Sequence, residues 1–483
     1  MRPSKVIKKG ERKLIKSEFA IIGGGPGGIA AAIEAAKAGV KVTLLDENER
    51  LGGQIYRQLE KGFKVTDPGV FGIDYAKGLE LLGQFNSLSD RIQYLNNATV
   101  WGIFKDRTLA FTHGATSSKL SFRNLLLATG AYDRPVPFPG WTLPGVFTAG
   151  GAQKLVKTER VLPGKRILLA GTGPLQLVLA YQILKAGGKI EAILEASNIS
   201  INWLKGLKGI WGNWDFLNEG WGYLRNIQKA DVPLLRSHII LEAHGDGQVE
   251  EAVIAKVDKN WRPRPGTARK MQVDTICLGY GLVSTTELAL LAECDHTYDL
   301  CLGGFIPVRN ENLETTVPGI YAVGDGAGVA GSKVAIEEGL IAGVSIARSL
   351  GYMSDADAKN HIRRVQKRLD KLNRFRRLLD EMSMPRAGLY ELAKDDTVVC
   401  RCEEITLKEI KDAMADGATH TKDIKRMTRM GMGPCEGRMC GPTLIEIMRR
   451  QPNAHPDALE CLPPRPTIKP IALGVLAASG RGE

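Results

Sequence analysis

Four cysteines near the C-terminus are the residues whose type and spacing point most directly to chemistry. Cys400 and Cys402 form a C-x-C pair, and Cys435 and Cys440 form a C-x-x-x-x-C pair. In cytosolic proteins a group of thiolates binds a metal more often than it forms disulfides. Zinc usually takes C-x-x-C spacings, which these are not. The sequence therefore predicts a metal centre, with zinc and a metal-free site as the weaker alternatives.

A glycine-rich turn near the N-terminus indicates a dinucleotide site. The apolar run 19–22 predicts a strand, the glycines after it a tight turn, and the alanine-rich segment that follows a helix. Such a turn lets a pyrophosphate approach N–H groups at a helix N-terminus, and an acid 23 positions after the first glycine suits the ribose hydroxyls. The residues assigned to this site are Gly23, Gly25, Pro26, Gly28 and Asp46.

A second strand-turn-helix-strand unit is predicted over 166–195, with Gly171 and Gly173 in its turn and Glu195 at the end of its last strand. Gln176 stands at the third glycine position, where a long side chain separates helix and strand. No arginine follows Glu195 closely, which disfavours a 2′-phosphate. Two interpretations stay open: a site for NAD or another adenine nucleotide, and an empty structural unit.

Three further segments make the chain similar to flavoproteins with two dinucleotide-binding domains. They are LGGQ from Leu51, ATG from Ala128, and TTVPGIYAVGD ending at Asp325. The resemblance implies a bound FAD, whose ribityl chain Asp325 would bind. The additional residues that it assigns to the FAD site are Gly52, Gly53, Gln54, Ala128, Thr129, Gly130, Gly324 and Asp325.

The segment VVCRCEEIT…TRMGMGPCEGRMCG resembles the bacterioferritin-associated-ferredoxin-like [2Fe-2S] domain. The resemblance implies that the four clustered cysteines, 400, 402, 435 and 440, are the cluster ligands. Lys425, Arg429 and Arg438 would offset the negative charge of the cluster. Between the cysteine pairs, LKEIKDAMADGA predicts a helix and IKRMTRMGMGP a basic turn.

The whole chain resembles an α-subunit family with members in opine (octopine and nopaline) oxidases, hydrogen cyanide synthases and dye-linked proline and hydroxyproline dehydrogenases. The resemblance is carried by GGGPGGIAAA, ATGAYDRPVPFPGW, GTGPLQLVLA, the cysteine segment and RPTIKPIALGVLA. It implies electron transfer by this chain, with the amine oxidised on a separate FAD-containing β subunit. It also suggests FMN at an interface of the complex and a further small component that is ferredoxin-like.

Two enzyme classes are disfavoured by what the sequence lacks. Flavin-dependent disulfide reductases need a cysteine pair beside the flavin, and this chain has no cysteine before Cys277. A self-contained amine oxidase needs a substrate site, but the seven histidines are scattered and form no recognisable constellation. A self-contained NADH-dependent flavin reductase and a non-redox nucleotide-binding scaffold with zinc are the alternative functions.

The composition indicates a globular protein of several domains. The net charge of +12 bears on solubility and does not imply nucleic-acid binding. An amphipathic helix with a basic outer face is predicted over 358–381, as a linker. The apolar stretch 167–184 is broken by a Gly-Thr-Gly-Pro turn, so no integral membrane segment is expected. The basic, polar start predicts a cytoplasmic protein, with any membrane association made through partners or the acceptor.

Taken together, these patterns predict an α/β fold: two interleaved Rossmann-like dinucleotide-binding domains and a small helical [2Fe-2S] domain. The FAD-binding domain is interrupted by the second nucleotide domain and then resumes. The predicted segments are 18–150 and 281–350 for the FAD domain, 151–280 for the second Rossmann-like domain, 351–395 for the basic linker, 396–450 for the cluster domain and 451–483 for the C-terminal tail.

Overall fold

The structure is a computed structural model that describes residues 14–59, 62–63, 73–198, 214–451 and 460–480. The strands within these ranges are β1 Ile15–Ile22, β2 Val42–Leu45, β3 Ile92–Leu95, β4 Ala98–Phe104, β5 Thr108–His113, β6 Thr116–Leu127, β7 Ala131–Asp133, β8 Val146–Thr148, β9 Ile167–Gly171, β10 Ile190–Glu195, β11 Leu234–Arg236, β12 His238–His244, β13 Glu251–Lys256, β14 Arg269–Gln272, β15 Thr275–Gly279, β16 Leu282–Ser284, β17 His296–Asp299, β18 Gly304–Pro307, β19 Ile320–Ala322, β20 Val398–Cys400 and β21 Ile405–Thr406.

The α-helices within the same ranges are α1 Pro26–Lys37, α2 Ile73–Asn86, α3 Ala149–Lys154, α4 Pro174–Lys185, α5 Trp214–Lys229, α6 Glu287–Leu291, α7 Ser332–Ser349, α8 Asp355–Ser383, α9 Ala387–Tyr390, α10 Leu407–Ala415, α11 Thr421–Thr428, α12 Gly441–Arg449 and α13 Leu473–Gly480. A π-helical turn, Leu155–Glu159, follows α3, and a 3₁₀ turn, Gly324–Ala327, follows β19.

The contacts divide the chain into two compact units. The first contains the described parts of residues 1–131, 284–373 and 463–483. Its seven-stranded sheet has the order β3-β2-β1-β6-β5-β4, with β19 also paired to β6. Strands β3, β2, β1, β6 and β19 are mutually parallel, so their carboxyl ends lie along one edge. In open parallel sheets this edge is where ligands bind.

Helices α1 and α7 pack tightly together on one face of this sheet. A Cβ added to Gly339 of α7 would lie 2.3 Å from the carbonyl oxygen of Gly27, and one added to Gly343 would lie 2.8 Å from that of Ala31. The small residues therefore allow near-contact of the two helix backbones. Because α7 begins shortly after the 3₁₀ turn, this packing places that turn close to the start of α1.

The second unit contains the described parts of residues 132–283 and 374–462. Its five-stranded sheet, in the order β11-β10-β9-β15-β8, is parallel throughout. The antiparallel sheet β12-β13-β14 contributes to a core shared with one face of it. Strand β8 lies at the edge of the parallel sheet, with Val146 opposite Ile276. The domain boundaries expected from the sequence stay predictions.

The C-terminal part of the second unit has a small core of its own. Strands β20 and β21 pair antiparallel, and α10, α11 and α12 contribute buried side chains such as Ile410, Ile424 and Leu444. The helix predicted between the cysteine pairs is confirmed as α10. The basic turn predicted after it is partly wrong, because α11 covers residues 421–428. Asp423 accepts N–H bonds from Thr419 and His420, and Ile424 is buried, which together stabilise this short helix.

The predicted basic amphipathic helix is confirmed and extends over 355–383 as α8. In its first part, Val365 and Leu369 are buried in the core that α1 and α7 share, while the intervening arginines and lysines are largely exposed. Arg368 forms a two-pronged ion pair with Glu337 of α7. The basic residues thus form a solvated outer face, and the helix itself is a packed part of the fold.

Candidate cofactor sites

The first glycine turn joins β1 to α1 and tolerates no side chain at two positions. Gly23 has φ +107°, and a Cβ there would lie 2.2 Å from the carbonyl oxygen of Ala128. A Cβ at Gly28 would lie 2.0 Å from the carbonyl oxygen of Gly23. Gly25 precedes the helix, and Pro26 is its first residue, where a missing N–H costs nothing. The turn presents backbone at a helix N-terminus, as anion binding requires.

Asp46 follows β2 and is tied to this turn. Its carboxylate accepts hydrogen bonds from the Gly24 N–H at 2.5 Å and from the backbone and side-chain nitrogens of Asn48 at 2.7 and 2.9 Å. Burial raises the pKa of the Asp46 carboxyl, and these bonds oppose that effect. A carboxylate accepts about four hydrogen bonds, so acceptor capacity is left for a sugar hydroxyl.

The LGGQ segment lies directly on the first turn. The Gly52 N–H donates to the carbonyl oxygen of Gly24 at 2.9 Å, and a Cβ on Gly53 would lie 2.9 Å from the Cα of Gly25. Both glycines have positive φ, which L-residues rarely adopt. Gln54 is exposed, and its side-chain oxygen accepts from Arg57. The two glycines are therefore part of the turn, whereas the Gln54 side chain is directed to another partner.

The other residues assigned to the first site lie at the carboxyl ends of β6 and β19. The Ala128 N–H donates to Ile22 at 2.8 Å, beside Gly23, and the Thr129 hydroxyl donates to the carbonyl oxygen of Thr285 at 2.6 Å. Gly130 has φ +71°. A Cβ on Gly326 would lie 2.5 Å from Thr129 Oγ1. The ATG segment and the 3₁₀ turn are therefore in direct contact.

Asp325 lies in that 3₁₀ turn and organises the start of α7. Its Oδ1 accepts hydrogen bonds from the N–H groups of Ala330 and Gly331 at 2.8 and 2.9 Å. The N–H of the preceding residue, Gly324, donates to Glu338. The structure thus brings the residues assigned to the first site to one edge of the sheet, with Gln54 as the exposed member.

A buried ion pair that the sequence analysis missed supports this turn. Arg309 contacts both carboxylate oxygens of Glu338, at 3.1 and 3.2 Å, and also donates to the carbonyl oxygen of Ala322. The Glu338 residue is 8% exposed, so the arginine compensates its charge. The two residues stand 29 positions apart in different elements, and no local pattern links them.

The second glycine turn joins β9 to α4 and is occupied by neighbouring side chains. The Glu195 carboxylate accepts from the Thr172 hydroxyl at 2.8 Å, the Gly173 N–H at 3.1 Å and the Ser197 N–H at 3.0 Å. Burial raises the pKa of Glu195. A Cβ added to Gly173 would lie 3.2 Å from the Cβ of Ser383, at the end of α8. Residues distant in sequence therefore cover this turn.

Gln176 fills the space where a third glycine would let helix and strand touch. The residue is 2% exposed, and its side-chain nitrogen lies 3.4 Å from the carbonyl oxygen of Leu194. Its side-chain oxygen is buried without a hydrogen-bond partner among the described residues. A Cβ on Gly171 would lie 2.9 Å from the side-chain nitrogen of Gln176. The Gln176 side chain thus lies between α4 and the sheet, where the glycine pattern would leave no side chain.

The four clustered cysteines converge as two pairs. The thiol of Cys400 lies beside that of Cys440, and the thiol of Cys402 lies beside that of Cys435. The Cys440 thiol and nearby N–H groups lower the pKa of Cys400 to about 6. The same thiol contact, together with burial, raises the pKa of Cys440. Cys400 and Cys440 are buried, whereas Cys402 is exposed.

Backbone N–H groups and a glycine shape this thiol site. The N–H groups of Gly431 and Glu403 point at Cys400, and that of Cys435 points at Cys402. A Cβ on Gly433 would lie 2.3 Å from the Cβ of Cys402. Fixed N–H donors stabilise negatively charged sulfur, so the site suits thiolate ligands.

The pairing of the thiols fits two irons better than one zinc ion. A [2Fe-2S] cluster takes four thiolates, two on each iron. Zinc needs its ligands around a single centre. Within the ranges that the structure describes, no group of three or more His, Cys, Asp and Glu side chains is placed to hold a single ion. Four thiols in two pairs match the number and type of ligands that a [2Fe-2S] cluster takes.

Two of the three cations predicted to offset the cluster charge make polar contacts of their own. Arg429 forms an ion pair with Glu403 at 2.9 Å, and Arg438 donates to the carbonyl oxygen of Cys435 at 3.4 Å. Lys425 lies in the last turn of α11. Arg429 is thus partly neutralised, while Arg438 directly supports the second cysteine pair.

Two further observations bear on function. His296 is half-buried, and this burial lowers its pKa, while its Nδ1 lies 2.7 Å from the carbonyl oxygen of Cys294. Among the helices that the structure describes, none combines the length and the apolarity that crossing a membrane would require.

Comparison with known families places these sites in two matched regions. Residues 17–343 match the model of the pyridine nucleotide-disulphide oxidoreductase family. Residues 398–450 match the model of the BFD-like [2Fe-2S] binding domain. The first region contains both glycine turns, and the second contains all four clustered cysteines.

Curated relatives match over nearly the whole chain. The HcnB subunit of hydrogen cyanide synthase from Pseudomonas aeruginosa is 34% identical over 454 residues, covering 93% of this chain and 96% of the relative. An opine oxidase subunit from Agrobacterium tumefaciens is 33% identical over 473 residues, covering 95% and 91%. The crystal structure of L-proline dehydrogenase from P. horikoshii shares the fold, with a TM-score of 0.69 at 20% identity and coverage of 97% and 81%.

Proposed function

The chain belongs to the pyridine nucleotide-disulphide oxidoreductase family and carries a BFD-like [2Fe-2S] binding domain, and from that membership we propose that it is the electron-transfer subunit of a heteromeric amine dehydrogenase or oxidase. The donor would be a secondary amine or imino acid of the opine, proline or hydroxyproline type. When bound, FAD would exchange two electrons and the cluster one electron at a time.

The observation that carries this proposal is the presence of two carrier sites in one chain. The first glycine turn is complete, with its acid and the Gly324-Asp325 turn beside it. The thiol site supplies four cysteines, which would hold the cluster, and Cys402 among them is exposed. An exposed ligand suits exchange of electrons with another molecule, because transfer between proteins requires close approach of the carriers.

The residues proposed to bind FAD would contact it through backbone N–H groups and through carboxylates. Gly23, Gly25 and Gly28 would let the pyrophosphate approach the N-terminus of α1. Asp46 would accept from the ribose, and its negative charge would repel a 2′-phosphate. Asp325 would accept from the ribityl chain. The four clustered cysteines would hold the irons.

The proposed donor class rests on the relatives. Two of them are named as components of larger enzymes, hydrogen cyanide synthase and opine oxidase. Opines and proline are secondary amines, and their oxidation to an imine releases two electrons and two protons. We propose that this oxidation takes place on a separate FAD-containing β subunit. FMN at an interface of the complex and a small ferredoxin-like protein would be further components.

An NADH-dependent reductase is the competing hypothesis. It would require NADH in the second turn, where Gln176 replaces a glycine, Glu195 already accepts three hydrogen bonds and Ser383 lies against Gly173. These contacts support an empty, structural role for this turn.

The test is a visible spectrum of the anaerobically purified chain, with flavin extracted and iron counted, alone and with its partner subunits. We expect one flavin and about two irons per chain. Proline, hydroxyproline or an opine should reduce the cofactors only when the partner is present, and NADH should not bleach them. Amine oxidation by the isolated chain would contradict the proposal, and rapid bleaching by NADH would favour the reductase.

A further inference from the structure

Trp141 ends the ATGAYDRPVPFPGW segment, and the proposed function gives it no role. The side chain belongs to the apolar core of the second unit, and the residue is 5% exposed. Its indole N–H donates to the carbonyl oxygen of Val398 at 2.7 Å. Val398 begins β20, which ends at Cys400. Trp141 therefore fixes the backbone that leads into the first cysteine pair.

The same indole ring contacts the side chain of Arg401, the residue between the two cysteines of that pair. The guanidinium carbon of Arg401 is 5.4 Å from the centre of the Trp141 ring. This is within the distance at which a cation is attracted to an aromatic face. One buried side chain therefore contacts the chain on both sides of Cys400.

Arg401 differs from the other basic residues near the thiols in how its charge is held. Arg429 is paired with Glu403. Within the described residues, the Arg401 guanidinium lies on the aromatic ring, and no carboxylate is in contact with it. A ring orients a guanidinium without cancelling its charge. Arg401 follows Cys400 and precedes the exposed Cys402, so the segment that carries this pair also carries a positive charge that is held by a ring.

The core around Trp141 also contacts residues close to the second cysteine pair. Met439, next to Cys440, packs against the same apolar core. Arg450 is the residue directly after α12. Its guanidinium carbon lies 4.3 Å from the centre of the Tyr390 ring, and it forms an ion pair with the buried Glu446. Both cysteine pairs are therefore next to residues that pack on the same apolar core. Because Trp141 is part of that core, its ring can hold the Arg401 guanidinium in a fixed position.

We propose that Trp141 is a positioning residue that holds the Arg401 charge beside the [2Fe-2S] site and thereby raises the reduction potential of the cluster. The inference rests on the proposed function, because it requires the cluster. Reduction adds one negative charge, and a fixed positive charge nearby stabilises the reduced form more than the oxidised form. Tuning a cluster by charge and solvent exposure is a general property of iron–sulfur proteins.

The test is an EPR-monitored redox titration of the full chain with its cluster. Arg401→Gln should shift the one-electron equilibrium about tenfold towards the oxidised form, which corresponds to about 59 mV. Trp141→Leu should shift it in the same direction by about threefold, because the charge is retained but loses its fixed position. Trp141→Phe keeps an aromatic face and should restore most of the wild-type value.

A double-mutant cycle separates positioning from a general structural effect. If Trp141 acts through Arg401, the change Trp141→Leu should shift nothing further in an Arg401→Gln background. Additive shifts would overturn the proposal. Arg426→Gln is the charge-matched control, since Arg426 is an exposed arginine of α11 in the same domain. Equal shifts for Arg426→Gln and Arg401→Gln would also overturn it, even if Trp141→Leu does not fold.

Failure of this inference is distinguishable from failure of the proposed function. A wild-type chain that contains no iron and gives no EPR signal on reduction would contradict the proposed function and, with it, the inference. A wild-type cluster whose potential is unchanged by Arg401→Gln would overturn the inference alone.

Discussion

The two glycine turns of this chain have nearly the same local construction and different surroundings. Each follows a buried parallel strand, each helix begins at a proline, Pro26 or Pro174, and each turn donates an N–H to an acid at the carboxyl end of the next strand. They differ at the third glycine position. Gly28 is in near-contact with the backbone of Gly23, whereas Gln176 is a buried spacer.

The turns also differ in what lies in front of them. At the first turn, a Cβ on Gly25 would meet nothing closer than 3.9 Å, and the atom it would meet belongs to the LGGQ loop. At the second, Gly173 faces Ser383, and Ser197 donates to the carbonyl oxygen of Met382. A nucleotide motif therefore shows that a turn can form, while a remote segment decides whether a ligand can reach it.

The largest effect is expected from Gly28→Ala in the first turn. The added Cβ would lie 2.0 Å from the carbonyl oxygen of Gly23, so strand and helix must separate. We expect a loss of about 3 kcal/mol in the free energy of unfolding and loss of bound flavin. Gly83→Ala in α2 is the control, because its Cβ would meet nothing within 4 Å. Urea unfolding and the flavin-to-protein ratio measure both; flavin retained by Gly28→Ala would contradict the assignment.

The next largest effect is expected on flavin affinity when the acids of the two turns, Asp46 and Glu195, are each replaced by their amides. Asp46→Asn replaces a charged acceptor with an amide that cannot satisfy the same N–H groups, so flavin affinity should fall by about 2 kcal/mol. Glu195→Gln makes the equivalent change in the second turn and should leave flavin affinity unchanged. Flavin titration of the apoprotein measures both variants. Equal losses would show that the two turns do not differ in the way proposed.

A smaller effect is expected from Gln176→Ala. Removing this buried side chain leaves a cavity, but it also removes an oxygen that, among the described residues, is buried without a hydrogen-bond partner. The two contributions partly cancel, so we expect a loss of about 1 kcal/mol in stability. Reduction of the flavin by NADH should stay absent, because Ser383 still covers the turn. Rapid NADH oxidation by this variant in a stopped-flow assay would contradict that explanation.

The smallest expected effect is a pH dependence of the free energy of unfolding that comes from Glu195 in the second turn. Burial raises the pKa of Glu195 above its unfolded value, so this residue contributes stability that is present at acid pH and lost as pH rises through the folded pKa. The stability of the wild type relative to Glu195→Gln should therefore decline as pH rises above about 4.5, the ordinary value for a glutamate. Urea unfolding across this range measures it, and a rising difference would contradict the sign.

Much of the first site follows from local sequence. Gly23 and Gly28 are identified by spacing alone, since only glycine permits the backbone contacts that the turn requires. Asp325 is identified by resemblance, and the structure places it beside Thr129 through Gly326. The Arg309–Glu338 pair is not predictable in this way, because both are ordinary charged residues until the fold buries them together.

Residue types at short, regular spacings are enough to predict the two strand-turn-helix units, their acids, the four-cysteine set and the family. Three other features arise only when the chain folds: which turn is covered, how the thiols pair, and the contact by which Trp141 holds Arg401 beside them. The first and the third depend on contacts between segments more than 150 residues apart, such as Gly173 with Ser383 and Trp141 with Val398, and the thiols pair between two separate segments of the cluster domain. Periodicity reports only on near neighbours along the chain, so contacts of this kind leave no local pattern.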